Sequence, residues 1–396
     1  MVFFLVVFLA GFLYFPLLRK ATFQFAFKVV PFISLFQVFR WVPVLIILAA
    51  VGWGYYAYVV ELCIKTLDNN IQRVLYLVFF HIVLLLFCAS YYRTIFSTLR
   101  PPPSIFFLDK ECLNELNTCD KDDQSEQAIL SRYVLMHRIP VKTRDFSRGI
   151  RYCSKCKCIK PDRAHHCSIC GHCILKFDHH CPWVNNCVNF YNYKFFLLFL
   201  GYGFLFCLFV FFTDLPYFIQ FWMRDYQEHS IKASNFHLLF LVLISGMFAI
   251  SLSCLFSYHL FLTARNRTTV ESFRAPMLEE GPDKRAFDHG IRANYREVFG
   301  YDPRLWMLPI FSSGGDGSVF PIRQSGVYAF DNRTRNTDTF MSPNTVYLAQ
   351  VRSNGHKPND NENLSEGHGK RSNAYLPLST TTTTTTIPSV SVSEMV

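Results

Sequence analysis

The sequence predicts an α-helical membrane protein: a four-helix transmembrane bundle with a cysteine-rich, two-zinc domain inserted between its second and third helices. Three observations point to this fold. Of 396 residues, 51% are hydrophobic, 17% aromatic and only 17% charged, too apolar a balance for an ordinary pair of soluble domains. Four runs of about 20 apolar residues, Val42–Leu62, Val74–Tyr92, Phe195–Trp222 and Phe236–Leu262, are each long enough to cross ~30 Å of hydrocarbon. Between the second and third runs, the thirty-five residues from Cys153 to Cys187 hold eight cysteines and five histidines.

Lysine and arginine set the orientation. They crowd the segment between the second and third spans (Arg100, Arg138, Arg148, Lys155, Lys176 and others) and recur after the fourth at Arg265, Arg267, Lys284 and Arg285. The connections at Lys65–Arg73 and Met223–Asn235 are short and nearly balanced in charge, so the positive-inside rule places both termini and the cysteine-rich module in the cytosol. The net charge of +10 then belongs to faces beside an anionic leaflet, and nucleic acid is not an expected partner.

Taken in order, residues 1–40 form an N-terminal hydrophobic segment. Met1–Leu18 is almost wholly apolar and ends at Arg19-Lys20, long enough for a fifth span; a membrane-surface segment or an extension outside the working fold is the competing reading. Residues 41–97 carry spans one and two, the first with Trp41 at its start and Gly54 among aromatic neighbours, the second with His81 and Cys88. Residues 98–150 are a cytosolic linker, opened by Pro101-Pro102-Pro103, which stops the helix, and containing a polar helix over Asn114–Met136. The zinc domain occupies 151–193 and spans three and four 194–263. In 264–325, Asn294–Ser313 gathers Val298, Phe299, Leu305, Trp306 and Ile310 as a segment that lies on the membrane or docks on the bundle. Residues 326–396 are polar and low in complexity, and are expected to be disordered.

Fourteen cysteines in a secreted domain would suggest disulfides, but a reducing compartment makes metal binding or catalysis the better reading. Zinc takes four Cys or His ligands, often beginning with a C-x2-C pair. Cys153/Cys156 and Cys167/Cys170 are two such pairs, and His166, Cys173, His180 and Cys187 can complete two closed Cys3His sites. We assign Cys153, Cys156, His166 and Cys173 to one and Cys167, Cys170, His180 and Cys187 to the other, although spacing alone does not fix that partition. With no open coordination position, both ions are structural. A single zinc finger with spare thiols is the simpler alternative, and a RING-type module lacks its last C-x2-C pair here. Cys158, His165 and His172 are surplus to either site.

Subtracting the ligands leaves Cys181 in the run Asp178-His179-His180-Cys181. A free thiol is only a few per cent thiolate at neutral pH, so a nucleophilic cysteine needs a base or a nearby cation. His179 can serve as the base and Asp178 can orient it, as in a carboxylate-imidazole-thiol triad, while His180 is committed to zinc.

The run DHHCPWVNNC resembles the DHHC cysteine-rich domain of protein S-acyltransferases, the membrane palmitoyltransferases, and the likeness continues upstream through RYCSKCKCIKPDRAHHCSIC and downstream through NYKFFLLFL. TTVE (Thr268–Glu271) resembles the family's TTxE motif, and NYREVFG, opening at Asn294, its C-terminal motif; together the likeness covers roughly residues 41–325. It is strongest to the long-chain subgroup with four spans. Two departures stand out: Ser97–Pro103 replaces a D-P-G tripeptide, and Asn189 and Tyr191 stand where relatives often have glycine and serine.

The resemblance implies transfer of a long-chain fatty acyl group, palmitoyl above all, from acyl-CoA to cysteine thiols of membrane-associated proteins through an acyl-enzyme on Cys181. It implies the same interleaved two-zinc partition. Trp183, Phe196 and Phe199 are expected at the mouth of an acyl cavity, with Phe206 and Gly54 at its deep end, where plain core packing is the competing reading. Thr268, Thr269, Glu271 and Asn294 are expected to support the site, and Lys160, Arg163 and Lys194 to meet the phosphates of CoA unless they serve lipid headgroups. Golgi, plasma membrane or endosome would hold the enzyme. A non-catalytic zinc-dependent membrane scaffold is the alternative function; a metal transporter fits poorly, because the ligand cluster lies outside the spans. The ending Glu394-Met395-Val396 is a candidate ligand for a PDZ partner.

Overall fold

The computed structural model describes residues 38–119, 123–224 and 233–323. The expectations for a fifth span, a disordered tail and a PDZ ligand lie outside these residues. Four helices long and apolar enough to cross a membrane, Val42–Thr66, Asn70–Phe96, Tyr193–Gln220 and Phe236–Ala264, correspond to the four expected runs. The chain is a multi-pass membrane protein.

The first span starts as helix α1 (Val42–Tyr55), with Pro43 in its first turn, where a missing N–H costs nothing. It continues through Tyr56–Thr66 as a wider π-helical segment, within which Glu61 accepts bonds from Tyr56 Oη at 2.5 Å and Lys65 Nζ at 2.8 Å. Helix α2 (Asn70–Phe96) is capped by the Asn69 side chain, which accepts from the backbone N–H of Ile71 and Gln72. It ends at Phe96, ahead of the three prolines. Its last carbonyls would face the module unsatisfied. Asn186 Nδ2 lies 3.0–3.1 Å from the carbonyl oxygens of Thr94, Ile95 and Ser97 and fastens the second span to the cysteine-rich module.

The single polar helix expected over Asn114–Met136 is instead two, α3 (Lys110–Thr118) and α4 (Asp123–Met136). Asp109 explains the earlier start: its carboxylate accepts from Cys112 N and caps a helix beginning four residues upstream of the expected one. These helices pack on Phe106, Ile139, Ile150 and Ile159 in a small core of their own.

Three antiparallel hairpins form the module: β1 (Tyr152–Cys153) with β2 (Cys158–Ile159), β3 (His165–Cys167) with β4 (His172–Ile174), and β5 (His179–Cys181) with β6 (Asn186–Val188). Helices α5 (Tyr193–Arg224) and α6 (Ala233–Ala264) carry the third and fourth spans. They approach closely at Gly201, where an added Cβ would sit 3.0 Å from the Phe256 ring. Beyond α6 come a short helix α7 (Thr269–Phe273), the hairpin β7 (Met277–Leu278) with β8 (Gly281–Pro282), and helix α8 (Ile291–Phe299). Val298 and Phe299 enter the core between the spans and the module, so the expected amphipathic segment docks on the bundle.

Candidate active site

Strand geometry explains why the zinc ligands interleave. His166 and Cys167 are neighbours on β3, and successive side chains of a strand point to opposite faces, so each faces a different site. His166 pairs across the hairpin with Cys173, and His180 on β5 pairs with Cys187. The result is two groups, Cys153–Cys156–His166–Cys173 and Cys167–Cys170–His180–Cys187, whose ligand atoms all lie within 4.8 Å of one another.

The donor sets fit zinc. With Zn–S near 2.3 Å and Zn–N near 2.0 Å, the edges of a tetrahedron are roughly 3.5–3.8 Å. Observed separations are 3.2 Å from Cys156 Sγ and 3.5 Å from Cys153 Sγ to His166 Nδ1, and 3.5 Å from Cys170 Sγ and Cys187 Sγ to His180 Nδ1. Cys158 belongs to neither group; its thiol is fully buried with its sulfur 4.0 Å from Cys173 Sγ.

The same alternation aims Cys181. On β5, His180 turns toward the second metal group, and its neighbours His179 and Cys181, two residues apart, share the opposite face. Pro182–Val184 then makes a tight 3-10 turn, closed by Asn185 in the left-handed conformation (φ 46°), which asparagine tolerates better than most residues. Tyr91 Oη donates to Trp183 O at 2.7 Å and ties this turn to the second span.

The Asp178 carboxylate is buried and fully engaged. It accepts from His179 Nδ1 at 2.6 Å, from Thr269 Oγ1 at 2.8 Å and from Thr269 N at 2.9 Å. A carboxylate can only accept, so His179 carries its proton on Nδ1 and leaves Nε2 for another partner. Burial raises the carboxyl, but the bond to His179 and the positive field around it leave Asp178 below the usual range and ionised. Burial likewise lowers His179, yet Asp178 and the Cys181 sulfur more than offset it and raise the imidazole to about 9. Together these three residues form a carboxylate-imidazole-thiol line.

Thr268 and Glu271 build the α7 end that brings Thr269 to Asp178. The Thr268 hydroxyl accepts from Glu271 N while Glu271 Oε2 accepts from Thr268 N, a reciprocal capping box. Glu271 also takes Arg163 bidentately, Nε to Oε1 at 2.8 Å and Nη2 to Oε2 at 2.7 Å. Asn294, fully buried, donates to Ala264 O and Asp288 Oδ1 and accepts from His289 N, joining α8 to the end of α6.

Two of the expected phosphate contacts are overturned. The Arg163 side chain is 0% exposed, its guanidinium bonded to Glu271 and Asn266 and stacked between the rings of Phe287 and Phe320. Lys194 is 1% exposed, and Nζ spends its three donors on Leu305 O, Ile310 O and Ser312 Oγ. Neither can reach a phosphate in solvent. Lys160 is half-buried.

Phe196 and Phe199 are buried with Cys181, Phe87 and Tyr91 in one cluster. Phe206 lies between Phe80 at 5.0 Å and Phe87 at 6.2 Å. Trp183 remains 52% exposed, and at Gly54 a Cβ would meet nothing within 4 Å.

His259 in the fourth span joins this site although no sequence motif assigns it a role. It is 2% exposed, its Nδ1 lies 3.2 Å from Tyr193 Oη, and a ring nitrogen lies within 4.8 Å of the polar atoms of Asp178 and His179. The sequence carries a signal for it: His259 and Thr263, a helical spacing of four apart, are polar residues at the end of an apolar run, and such a pair faces the bundle interior.

Residues 147–276 match the sequence profile of the DHHC palmitoyltransferase family. Similar proteins include palmitoyltransferase ZDHHC20 of Homo sapiens, 51% identical over 296 residues (74% of this chain, 79% of that protein). Palmitoyltransferase ZDHHC2 of Danio rerio is 49% identical over 290 residues (72% and 77%), and palmitoyltransferase ZDHHC15 of Xenopus laevis 44% over 289 (73% and 84%). Identity of this order covers about three quarters of the chain, far more than the metal ligands alone, and on that footing the chain belongs to the DHHC palmitoyltransferase family.

Proposed function

We propose that this palmitoyltransferase works by two thioester exchanges at Cys181. His179 Nε2 takes the Cys181 proton, and the thiolate attacks the carbonyl carbon of a fatty acyl-CoA thioester. The carbon–sulfur bond to CoA breaks, the CoA sulfur takes the proton back from His179 Nε2 and leaves as the thiol, and the acyl group rests on Cys181. A cysteine thiol of a membrane-associated protein then gives its proton to His179 Nε2 and attacks the acyl carbonyl; the bond to Cys181 breaks, and Cys181 leaves as a thiolate beside the protonated His179. One thioester replaces another at each step, so placement and thiolate generation are the demands on the protein. Asp178 fixes the tautomer of His179 and stabilises its charged form.

The single observation that carries this reading is the Thr269–Asp178–His179 chain of hydrogen bonds ending on the face of β5 that bears Cys181. Two zinc ions, held by the two Cys3His groups, would supply the fold of a module whose strands are two or three residues long. Phe196 and Phe199 border the acyl chain, with Trp183 at the mouth. Phe206 lies ten residues beyond Phe196 on α5, about 15 Å at the helical rise, and with Gly54 marks the deep end. Lys160 is the remaining candidate from the sequence for the CoA phosphates. The density of basic residues beside the module supports a cytosolic active site, on membranes such as Golgi, plasma membrane or endosome.

Incubating purified protein with palmitoyl-CoA should add one palmitoyl mass, sensitive to hydroxylamine, to the peptide carrying Cys181. Cys181→Ser should abolish that label while about two zinc ions per chain remain. Labelling that persists in the variant would sink the assignment.

Thr269→Val deletes the hydroxyl that donates to Asp178 Oδ2 and leaves the backbone donor in place. A hydrogen bond to a charged group contributes about 1.5–3 kcal/mol, so single-turnover acylation should slow by roughly ten- to a hundredfold. An unchanged rate would detach Thr269 from the chemistry.

A further inference from the structure

Away from Cys181, a cavity of about 360 Å³ opens where the second span ends and the third begins. Its walls include Arg93, Ser97 and Thr98 at the end of α2, Arg100 beyond it, and Tyr191 and Phe195 on the chain entering α5. None of the residues lining it is acidic. Arg93 and Arg100 are exposed, and among the described residues neither guanidinium meets a carboxylate or another hydrogen-bond acceptor.

Each guanidinium instead lies over an aromatic ring, Arg93 4.8 Å from the centre of Phe195 and Arg100 4.7 Å from that of Tyr191. Stacking fixes the plane of the fork and leaves its N–H edges free, the arrangement that takes phosphate oxygens two at a time. The hydroxyls of Ser97 and Thr98 add donors in the same wall. At ~30 Å³ per water the cavity holds about twelve, room for a phosphate ester with its glycerol.

The place of the cavity decides between a lipid phosphate and a soluble one. Below it on α2, Val78, Ile82 and Leu85 are exposed along one helical stripe, and a step of seven residues from Leu85 reaches Tyr92 in the cavity wall. Acyl chains lying on that stripe would lead up to a headgroup between the two arginines; a soluble phosphate would leave the stripe unused. We propose that this cavity binds an anionic phospholipid, whose phosphate is held between Arg93 and Arg100.

The test titrates full-length protein with dioctanoyl phosphatidic acid and reads occupancy by native mass spectrometry. Dioctanoyl phosphatidylcholine, inorganic phosphate and coenzyme A are run in parallel arms. Wild type should bind the phosphatidic acid about tenfold or more tightly than each of the three. The pair Arg93→Gln/Arg100→Gln should lose about tenfold or more in that affinity, whereas Lys284→Gln/Arg292→Gln, removing two exposed charges elsewhere, should not. Arg93→Lys/Arg100→Lys keeps the charge without the fork and should fall between. It decides the matter if the glutamine pair loses zinc, and unchanged affinity in it overturns the bidentate site. Equal binding of phosphatidylcholine overturns recognition of charge, and displacement of the lipid by equimolar phosphate or coenzyme A overturns the lipid as its source.

Discussion

Cys187→Ala should leave a protein with one zinc ion in place of two and acyl transfer below about one per cent of wild type. Cys187 completes the second metal group and faces His180 directly across the β5–β6 hairpin. That hairpin has three residues on each side, and the buried apolar partners around its ligands are few, Ile174 chief among them. So little apolar surface cannot hold the strands together. Binding of a structural zinc, worth about 10–16 kcal/mol in small modules, must do it. Cys181 is the residue after a ligand of this site, and its aim depends on the pairing of β5 with β6. Loss of the metal should therefore turn Cys181, the proposed nucleophile, from its face without touching its thiol. Cys158→Ala is the matched control: the same element deleted from the same module, fully buried, outside both groups. It should keep two zinc ions and activity within a few-fold. Metal analysis of the purified proteins, read beside hydroxylamine-sensitive labelling, decides the matter. A Cys187→Ala protein that retains two zinc ions would dissolve the partition.

How much of this could be read from the sequence depends on the range of the interaction concerned. Ligand spacing is local, so the eight candidate ligands and Cys181 beside His179 could be named from one short stretch. Which downstream ligand joins which pair is instead fixed by strand pairing, His166 with Cys173 and His180 with Cys187. The four spans could be read because composition alone decides whether a helix can sit in hydrocarbon. The environments of Arg163 and Lys194 are not legible in the sequence, for the opposite reason. A cation near a membrane looks solvated in sequence, and only the fold reveals that Glu271, more than a hundred residues on, and the carbonyls of Leu305 and Ile310 enclose them. The earlier start of α3 turned on Asp109, one capping side chain. His259 reaches the Asp178–His179 pair from the fourth span, and no spacing within either segment connects them.

The buried Arg163 supplies the second large effect. Arg163→Met should lower the melting temperature by roughly 10 °C and cut acyl transfer with it. Arg163 stands on the loop before β3 with φ 64°, and its guanidinium reaches both segments that follow the fourth span: Glu271 at the end of α7, and Glu297 on α8 at 3.6 Å. Burial would raise Glu297, but Lys176 and Arg163 hold it below the usual carboxylate range, so both charges are present in the fold. Methionine fills much of the volume yet leaves Glu271 without its buried partner. Breaking a buried pair from one side costs about 3–5 kcal/mol, and about 2–4 °C per kcal/mol is expected for a body of this size. Arg163→Lys should recover part of the loss at most, because an ammonium cannot bond both oxygens of Glu271 and stack between Phe287 and Phe320 as the flat guanidinium does. Adding Glu271→Gln to Arg163→Met removes the stranded charge, so the double variant should be more stable than the sum of the two single losses. Its activity should nevertheless stay low, since Glu271 also closes the capping box that presents Thr269 to Asp178. Thermal unfolding and single-turnover acylation, measured on the wild type, Arg163→Met, Glu271→Gln and the double variant, separate the two roles. Additive losses in stability would mean that Arg163 and Glu271 do not work as a pair.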